Sequence, residues 1–358
     1  MLFYIILLVF LIASLFKNKY QSVFVYLSIF QMLLIGFFRF GVGTDYYSYK
    51  NAITLNFYWF SDKSFSYISN FALKKLSLTP VVILGFWSVF ILLCIFYFLK
   101  KFSVSMHAYA YAIFFFVTLY YYIDSFNIIR QYVALSIFLI SFIFLMKDKV
   151  LLYLILGGVS FYFHASSGIF VILLLCINYF LKNKKNAYNK KRIISLGLVF
   201  FIVGFIDSTF IIKKLFELFN YNGRLDYYLL YSFDHYLNYD MSFPLVIFLV
   251  FKFLLFYNVV INYKDDKDLT HTEKVIFYVY VISALLSFIF YPILLLRRTL
   301  IYLTFFELVV FGRVISKNSA SIKVIFVCIS IIYFYFSIFL GYSTPLPFKT
   351  WIDTDVNF

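Results

Sequence analysis

Long polar stretches are what this sequence lacks first. Only 13% of its 358 residues are charged, whereas 64% are hydrophobic and 25% aromatic, and the mean hydropathy is +0.92. A water-soluble chain of that make-up would expose more apolar surface than water tolerates. Apolar runs of helix-spanning length recur from end to end, with no polar block long enough for a soluble domain. The reading is an all-α, polytopic membrane protein with a single transmembrane domain over 1–358.

Other absences narrow the reading further. The three cysteines, Cys94, Cys176 and Cys328, lie far apart inside apolar runs. That excludes a closely spaced metal cluster and argues against a disulfide framework, so they read as small buried hydrophobes. Residues 2–16 are apolar, but no Lys or Arg precedes them and no small-residue cleavage site follows. An uncleaved first helix with its N-terminus outside is expected. No useful internal repeat and no inverted pair of Gly/Pro-broken helices is evident. Acidic residues are also few, 16 against 31 basic ones, for a net charge of +15. That excess sits in short loops between apolar runs, which is the positive-inside pattern and not a nucleic-acid-binding stripe.

About twelve spans are expected, at 2–16, 20–38, 80–99, 106–123, 128–146, 150–164, 166–181, 193–212, 244–262, 275–291, 299–315 and 324–342. Alternate connections hold 18 basic residues against five acids, and the opposite set holds 12 against ten. Net charges of +13 and +2 place the first set in the cytoplasm, with both chain termini outside. Two outer loops are long, at about 39–79 and 213–243. Within them, 65–76 and 213–219 are expected to lie in the interface plane.

Ionisable residues at membrane depth are expensive, so each needs a reason. Arg39, Arg130, His164, Arg297 and Arg298 come from distant parts of the sequence, yet all fall at outer span ends. Asp124 and Asp207 lie near that layer, and the long loops add Asp45, Arg224 and Asp226 to the same side. Snorkelling explains any one arginine. It explains the set less well, because the positive-inside bias disfavours arginine on the outer side. An arginine layer there suits an anionic ligand, because the guanidinium fork binds phosphate oxygens bidentately. A lipid pyrophosphate at headgroup level matches both the depth and the charge.

His164 ends a span beside Ser166 and Ser167, where a neutral imidazole can deprotonate a sugar hydroxyl near pH 7. A hydrogen-bonded structural histidine is the competing reading. His107 and His271 read as solvated or capping residues on the cytoplasmic side, and His235 as a surface residue. Gly41-Val42-Gly43-Thr44-Asp45 reads as a tight turn, and it is not a Walker motif because no Gly-Lys-Ser/Thr follows. Asp45 is the alternative base there, or else an ion-pair partner for Arg39. Six tyrosines in 221–239, Tyr228 among them, can stack on sugar faces, although tyrosine is enriched at every membrane interface. Mid-span Lys252 and Glu307 are expected to pair with each other.

The segment Phe38-Arg39-Phe40-Gly41-Val42-Gly43-Thr44-Asp45-Tyr46 resembles the Arg-x-x-x-Gly-x-Asp-Tyr signature of the EpsG-like polysaccharide polymerases, relatives of the Wzy O-antigen polymerases. Asn127 to Gln131 resembles the family's Arg-Gln element, and Phe163-His164-Ala165-Ser166 its His element. Asn222-Gly223-Arg224 to Tyr228 resembles the long-loop segment. Arg297-Arg298 and Pro345-Leu346-Pro347-Phe348-Lys349 resemble the late arginine and the terminal Pro-aromatic motif.

The resemblance implies a multi-spanning, GT-C-like glycosyltransferase of the bacterial inner membrane. It implies undecaprenyl-diphosphate-linked oligosaccharide units joined on the periplasmic face, without metal or other cofactor. A chain-length regulator is a further partner it admits. Arg130, with Arg297 or Arg298 and Arg39 or Arg224, would bind the diphosphate, Tyr46 and Tyr228 would contact the substrate, and His164 or Asp45 would take the acceptor proton. A lipid-linked sugar flippase and a membrane acyltransferase are the competing functions. A flippase needs a cationic cavity toward the midplane, where only Lys252 and Glu307 lie.

Overall fold

The computed structural model describes residues 2–43, 45–55, 63–183, 189–206, 243–263, 269–290, 293–339 and 349–350. Of these residues 84% are helical. In chain order the elements are α1 (Leu2–Ser14), α2 (Gln21–Phe38), β1 (Arg39–Phe40), α3 (Tyr46–Thr54), α4 (Lys63–Lys75), α5 (Pro80–Phe102), α6 (Met106–Thr118), α7 (Tyr121–Asn127), α8 (Ile129–Leu145) and α9 (Val150–Phe163). There follow α10 (Ser167–Asn183), α11 (Lys190–Val203), α12 (Phe243–Asn262), α13 (His271–Phe290), α14 (Leu294–Thr299), α15 (Ile301–Thr304), α16 (Phe306–Ile315), α17 (Ala320–Phe339) and β2 (Lys349–Thr350).

Among the described residues, helices occupy the apolar stretches read from the sequence. Among the described residues, four helices are long and apolar enough to cross a membrane, or five if α6 and α7, bent by 49°, count as one span. The α1, α8, α9, α10 and α17 stretches are apolar but shorter. At 1.5 Å per residue, a helix of 13 residues such as α6 reaches only about 20 Å of a ~30 Å hydrocarbon core. The span expected at 299–315 is broken into α15 and α16, preceded by the short α14.

The chain forms two compact units, Met1–Leu175 with Phe311–Phe358, and Cys176–Val310. In the first, α8 is the central helix. It has 13 of its 17 residues buried and packs against α5 and α9. In contrast, α9 buries only the stripe Tyr153, Gly157, Ser160 and Phe163. Its other face exposes Leu151, Leu154, Ile155 and Tyr162. An apolar outer face around a packed helical interior fits lipid as the surrounding solvent. Gly85 permits the close crossing of α5 on α2, since a Cβ there would meet the Phe37 carbonyl oxygen at 2.8 Å.

In the second unit, α11 packs against α12 and α13. Helix α13 starts on a reciprocal cap. The Thr270 amide donates to Glu273 Oε2 at 2.8 Å, and the Glu273 amide donates to Thr270 Oγ1 at 3.3 Å. Lys252 of α12 donates to Glu307 Oε1, and both side chains are buried. The ion pair expected from the sequence is present.

Three readings need correction. Cys176 and Cys328 are exposed and Cys94 is half-buried, so two of the three cysteines lie on outward apolar faces. His107 and His271 are not merely solvated. The first shares a 2.8 Å hydrogen bond with Gln21 Nε2, and the second a 2.7 Å bond with Asn178 Oδ1.

Candidate active site

The first motif is built where α2 ends. Arg39 leaves the helix in an extended conformation (φ −61°, ψ 140°). Gly41 and Gly43 then take positive φ, +64° and +105°, which side-chain-bearing residues rarely adopt. A Cβ on Gly43 would meet Asn127 Oδ1 at 2.8 Å and the Phe126 carbonyl oxygen at 3.0 Å. The turn therefore lies directly against the end of α7. On its other side, β1 pairs antiparallel with β2, Arg39 opposite Thr350 and Phe40 opposite Lys349. The early arginine motif and the end of the terminal motif thus meet.

Arg39 does not snorkel. It is 1% exposed, and its Nη1 donates to the carbonyls of Val42 and Phe126, each at 3.0 Å. Its guanidinium lies 4.5 Å from the Phe126 ring centroid and 5.9 Å from that of Tyr46. These bonds run to carbonyls and not to Asp45, the ion-pair partner weighed from the sequence. Nε and Nη2 have no hydrogen-bond partner among the described residues. Burial lowers the Arg39 pKa to about 10, with nearby Tyr46 opposing, so the group stays cationic at neutral pH. Tyr46 is fully buried, edge-on to Phe40 and Tyr47. Burial pushes its hydroxyl up to about 12 against the pull of Arg39.

Arg130 sits in the first turn of α8, after the chain breaks at Ile128 (φ −107°, ψ 54°). Two contacts fix that corner. Tyr132 Oη donates to the Tyr121 carbonyl at 2.8 Å, and Tyr122 Oη to the Met32 carbonyl at 2.9 Å. Arg130 is half-buried, with its guanidinium 5.8 Å from the Tyr49 ring. Burial raises the Tyr49 pKa; the charge and hydrogen bonding of Arg130 oppose that shift, and Asp45 adds to it. Tyr49 thus lies beside Arg130, and its backbone amide donates to the Asp45 carbonyl at 3.0 Å. Asp45 occupies the N-cap of α3 without a side-chain capping bond. Tyr49 was not singled out from the sequence. The available signal was its place one turn after Tyr46, on the face that Asp45 begins.

His164 is the C-cap of α9, extended (φ −159°, ψ 113°) and half-buried, with Nδ1 2.6 Å from Ser166 Oγ. Ser160 Oγ donates to the Ala134 carbonyl at 2.7 Å. His164 lies one turn beyond Ser160, and Arg130 one turn before Ala134. In an antiparallel pair, that register brings His164 and Arg130 to the same end.

Arg297 and Arg298 close α14 in the second unit, both half-buried. As neighbours on a helix they diverge by about 100°. Arg224, Tyr228, Asp207, Asp226, His235 and the stretch 213–219 lie outside the described residues. Among those described, no group of three His, Cys, Asp or Glu could hold a metal ion.

A search of curated proteins and one of solved structures gave no match. The profile of the EpsG family, in contrast, matches residues 22–350, from α2 to β2. The stretch takes in the Arg39 turn, the α7–α8 corner, His164, the paired arginines and the returning strand: the chain belongs to the EpsG family.

Proposed function

We propose that the chain is a glycosyltransferase that joins lipid-diphosphate-linked oligosaccharide units into a polysaccharide at the periplasmic face of the bacterial inner membrane. Family membership supports a polymerase-like role. The observation that carries the finer reading is the corner where Arg130 meets Tyr49, with Asp45 alongside and His164 at the same end of the helix pair. The proposal includes a multi-spanning, GT-C-like architecture, with the shorter apolar helices completing the crossings and undecaprenol as the lipid.

In this reading an acceptor hydroxyl oxygen attacks the anomeric carbon of the donor sugar. The bond from that carbon to the diphosphate breaks, its electron pair leaves with the diphosphate, and the hydroxyl proton passes to a base. Charge grows on the leaving group in the transition state, so a cation already in place stabilises that state more than the ground state. Arg130 takes this role in the first unit. The buried Arg39 holds the turn in place. His164 is the base of first choice, acting in the tautomer whose Nδ1–H donates to Ser166 Oγ and whose Nε2 carries the lone pair. Asp45 is the alternative.

The test is to reconstitute the purified chain in lipid with a lipid-linked repeat unit and resolve the products by length. A ladder of multiples supports the reading. Net movement of the unit across the bilayer without a ladder would make the chain a transporter.

A further inference from the structure

We propose that Asn70 is a specificity-determining residue whose side-chain amide binds a pair of neighbouring hydroxyls of the oligosaccharide beside the Arg130–Tyr49 corner. The inference rests on the reading just given and deepens it by assigning a sugar subsite.

It starts from the sense of α4. In a soluble protein, an amphipathic helix turns its apolar stripe inward and its polar stripe to water. Here the outward side is apolar, and polar residues share the inward side with Phe65. Ser66, Ser69 and Asn70 face inward and are 5%, 1% and 5% exposed. Tyr67, Ile68 and Phe71 face outward and are 67%, 43% and 53% exposed. With lipid outside, that is the stable sense for the outer stripe. The inner stripe then needs partners of its own. Ser69 has one, accepting from Trp87 Nε1 at 3.0 Å. For Asn70, Oδ1 and Nδ2 are both buried with no hydrogen-bond partner among the described residues.

A primary amide offers two donors and an acceptor in one plane. Burying all of them unmade is costly, and folded proteins avoid it except where a ligand, a water or a function supplies the partner. Vicinal sugar hydroxyls are complementary: one O–H donates to Oδ1, and the neighbouring oxygen accepts from Nδ2. The surroundings suit a sugar as well. Helix α4 packs against α3, α5 and α9. The Phe65 ring lies 5.7 Å from Tyr49 and 5.2 Å from Trp87. Trp87 in turn lies 5.8 Å from Phe163, the residue before His164. Asn70 therefore stands on the helix that joins the Tyr49–Arg130 corner to the His164 end through aromatic rings, and aromatic faces stack on sugars.

The test uses the purified full-length protein, wild type and Asn70→Leu, with the repeat-unit oligosaccharide released from its lipid by mild acid. Trp87 reports binding through its emission. The wild type should show a saturable change, and Asn70→Leu should bind about tenfold more weakly or worse. The thermal midpoint of the variant should be equal or higher, since an apolar side chain of similar size replaces an amide without a protein partner. With the lipid-linked unit, its KM should rise by a similar factor at nearly constant kcat. Wild-type affinity in the variant, no response in the wild type, or a lowered midpoint marking a structural amide would each overturn the proposal. Asn70-dependent binding without a ladder would keep the subsite and remove the polymerase reading. A ladder with equal KM in both proteins would remove Asn70 and keep that reading.

Discussion

Lys252 in the second unit and Arg39 in the first are both buried cations, and their partners differ in kind. Lys252 meets a carboxylate, Glu307, so the two charges cancel. Arg39 meets the carbonyls of Val42 and Phe126 and the faces of Phe126 and Tyr46, and its charge is kept. A closed pair at membrane depth is a packing solution. A cation held by dipoles and ring faces holds its segment in place and leaves a positive field beside it. In the function proposed above, the difference separates a second-unit charge that serves the fold from a first-unit corner that serves an anion.

The largest expected effect breaks the closed pair. Lys252→Met or Glu307→Leu alone leaves one buried charge uncompensated and should cost about 3–5 kcal/mol of stability. The double variant should recover most of that loss, measured by thermal unfolding in detergent. Activity per folded molecule should stay near wild type. A double variant as unstable as the singles would show that the pair does more than neutralise itself.

On the other side of the comparison, Arg130→Ala should reduce the polymerisation rate by about 10²–10³, as when a positioned donor to developing negative charge is removed. Protein level in the membrane should hold, because Arg130 is only half-buried. A variant that loses the protein but keeps its specific rate would move Arg130 to the structural side.

Arg39→Lys should act more weakly. It keeps a cation but cannot serve two carbonyls and a ring face with one planar group. We expect a roughly tenfold loss in kcat with KM little changed, because the turn carrying Asp45 shifts. A selective rise in KM for the lipid-linked unit would instead place Arg39 on the ligand.

Much of this was legible in the sequence, and the misses have physical causes. The Arg39–Asp45 turn was readable because glycine takes most readily the positive φ that Gly41 and Gly43 adopt. Helix α5 was readable as the apolar span at 80–99, and the Thr79 cap with Pro80 after it sets its start. The Lys252–Glu307 pair followed from cost alone. The break between α6 and α7 did not, because Tyr120 takes φ +75° with no glycine or proline to announce it. Nor did the burial of Arg39: hydropathy sets depth, but where nearly every residue is apolar it does not tell a lipid-facing side from an inward one. Tyr49 and Asn70 were missed for the same reason, since their neighbours come from α8, α5 and α9 and no local pattern marks them.

The smallest perturbation checks the side on which the corner lies. In a background with Cys94, Cys176 and Cys328 replaced, Ser77→Cys should react with an impermeant thiol reagent added from outside, and Ser319→Cys should not. Activity should be unchanged in both. The reverse pattern would put the arginine layer in the cytoplasm.

The most direct test of the account is the product ladder from reconstituted wild type and Arg130→Lys, with a lipid-linked repeat unit and EDTA present. The account predicts a wild-type ladder that survives the chelator. It predicts a ladder from Arg130→Lys slower by about tenfold or more, since charge remains but the bidentate fork is lost. A wild-type rate from Arg130→Lys, or a wild-type ladder that vanishes with EDTA and returns with Mg²⁺ or Mn²⁺, would contradict it.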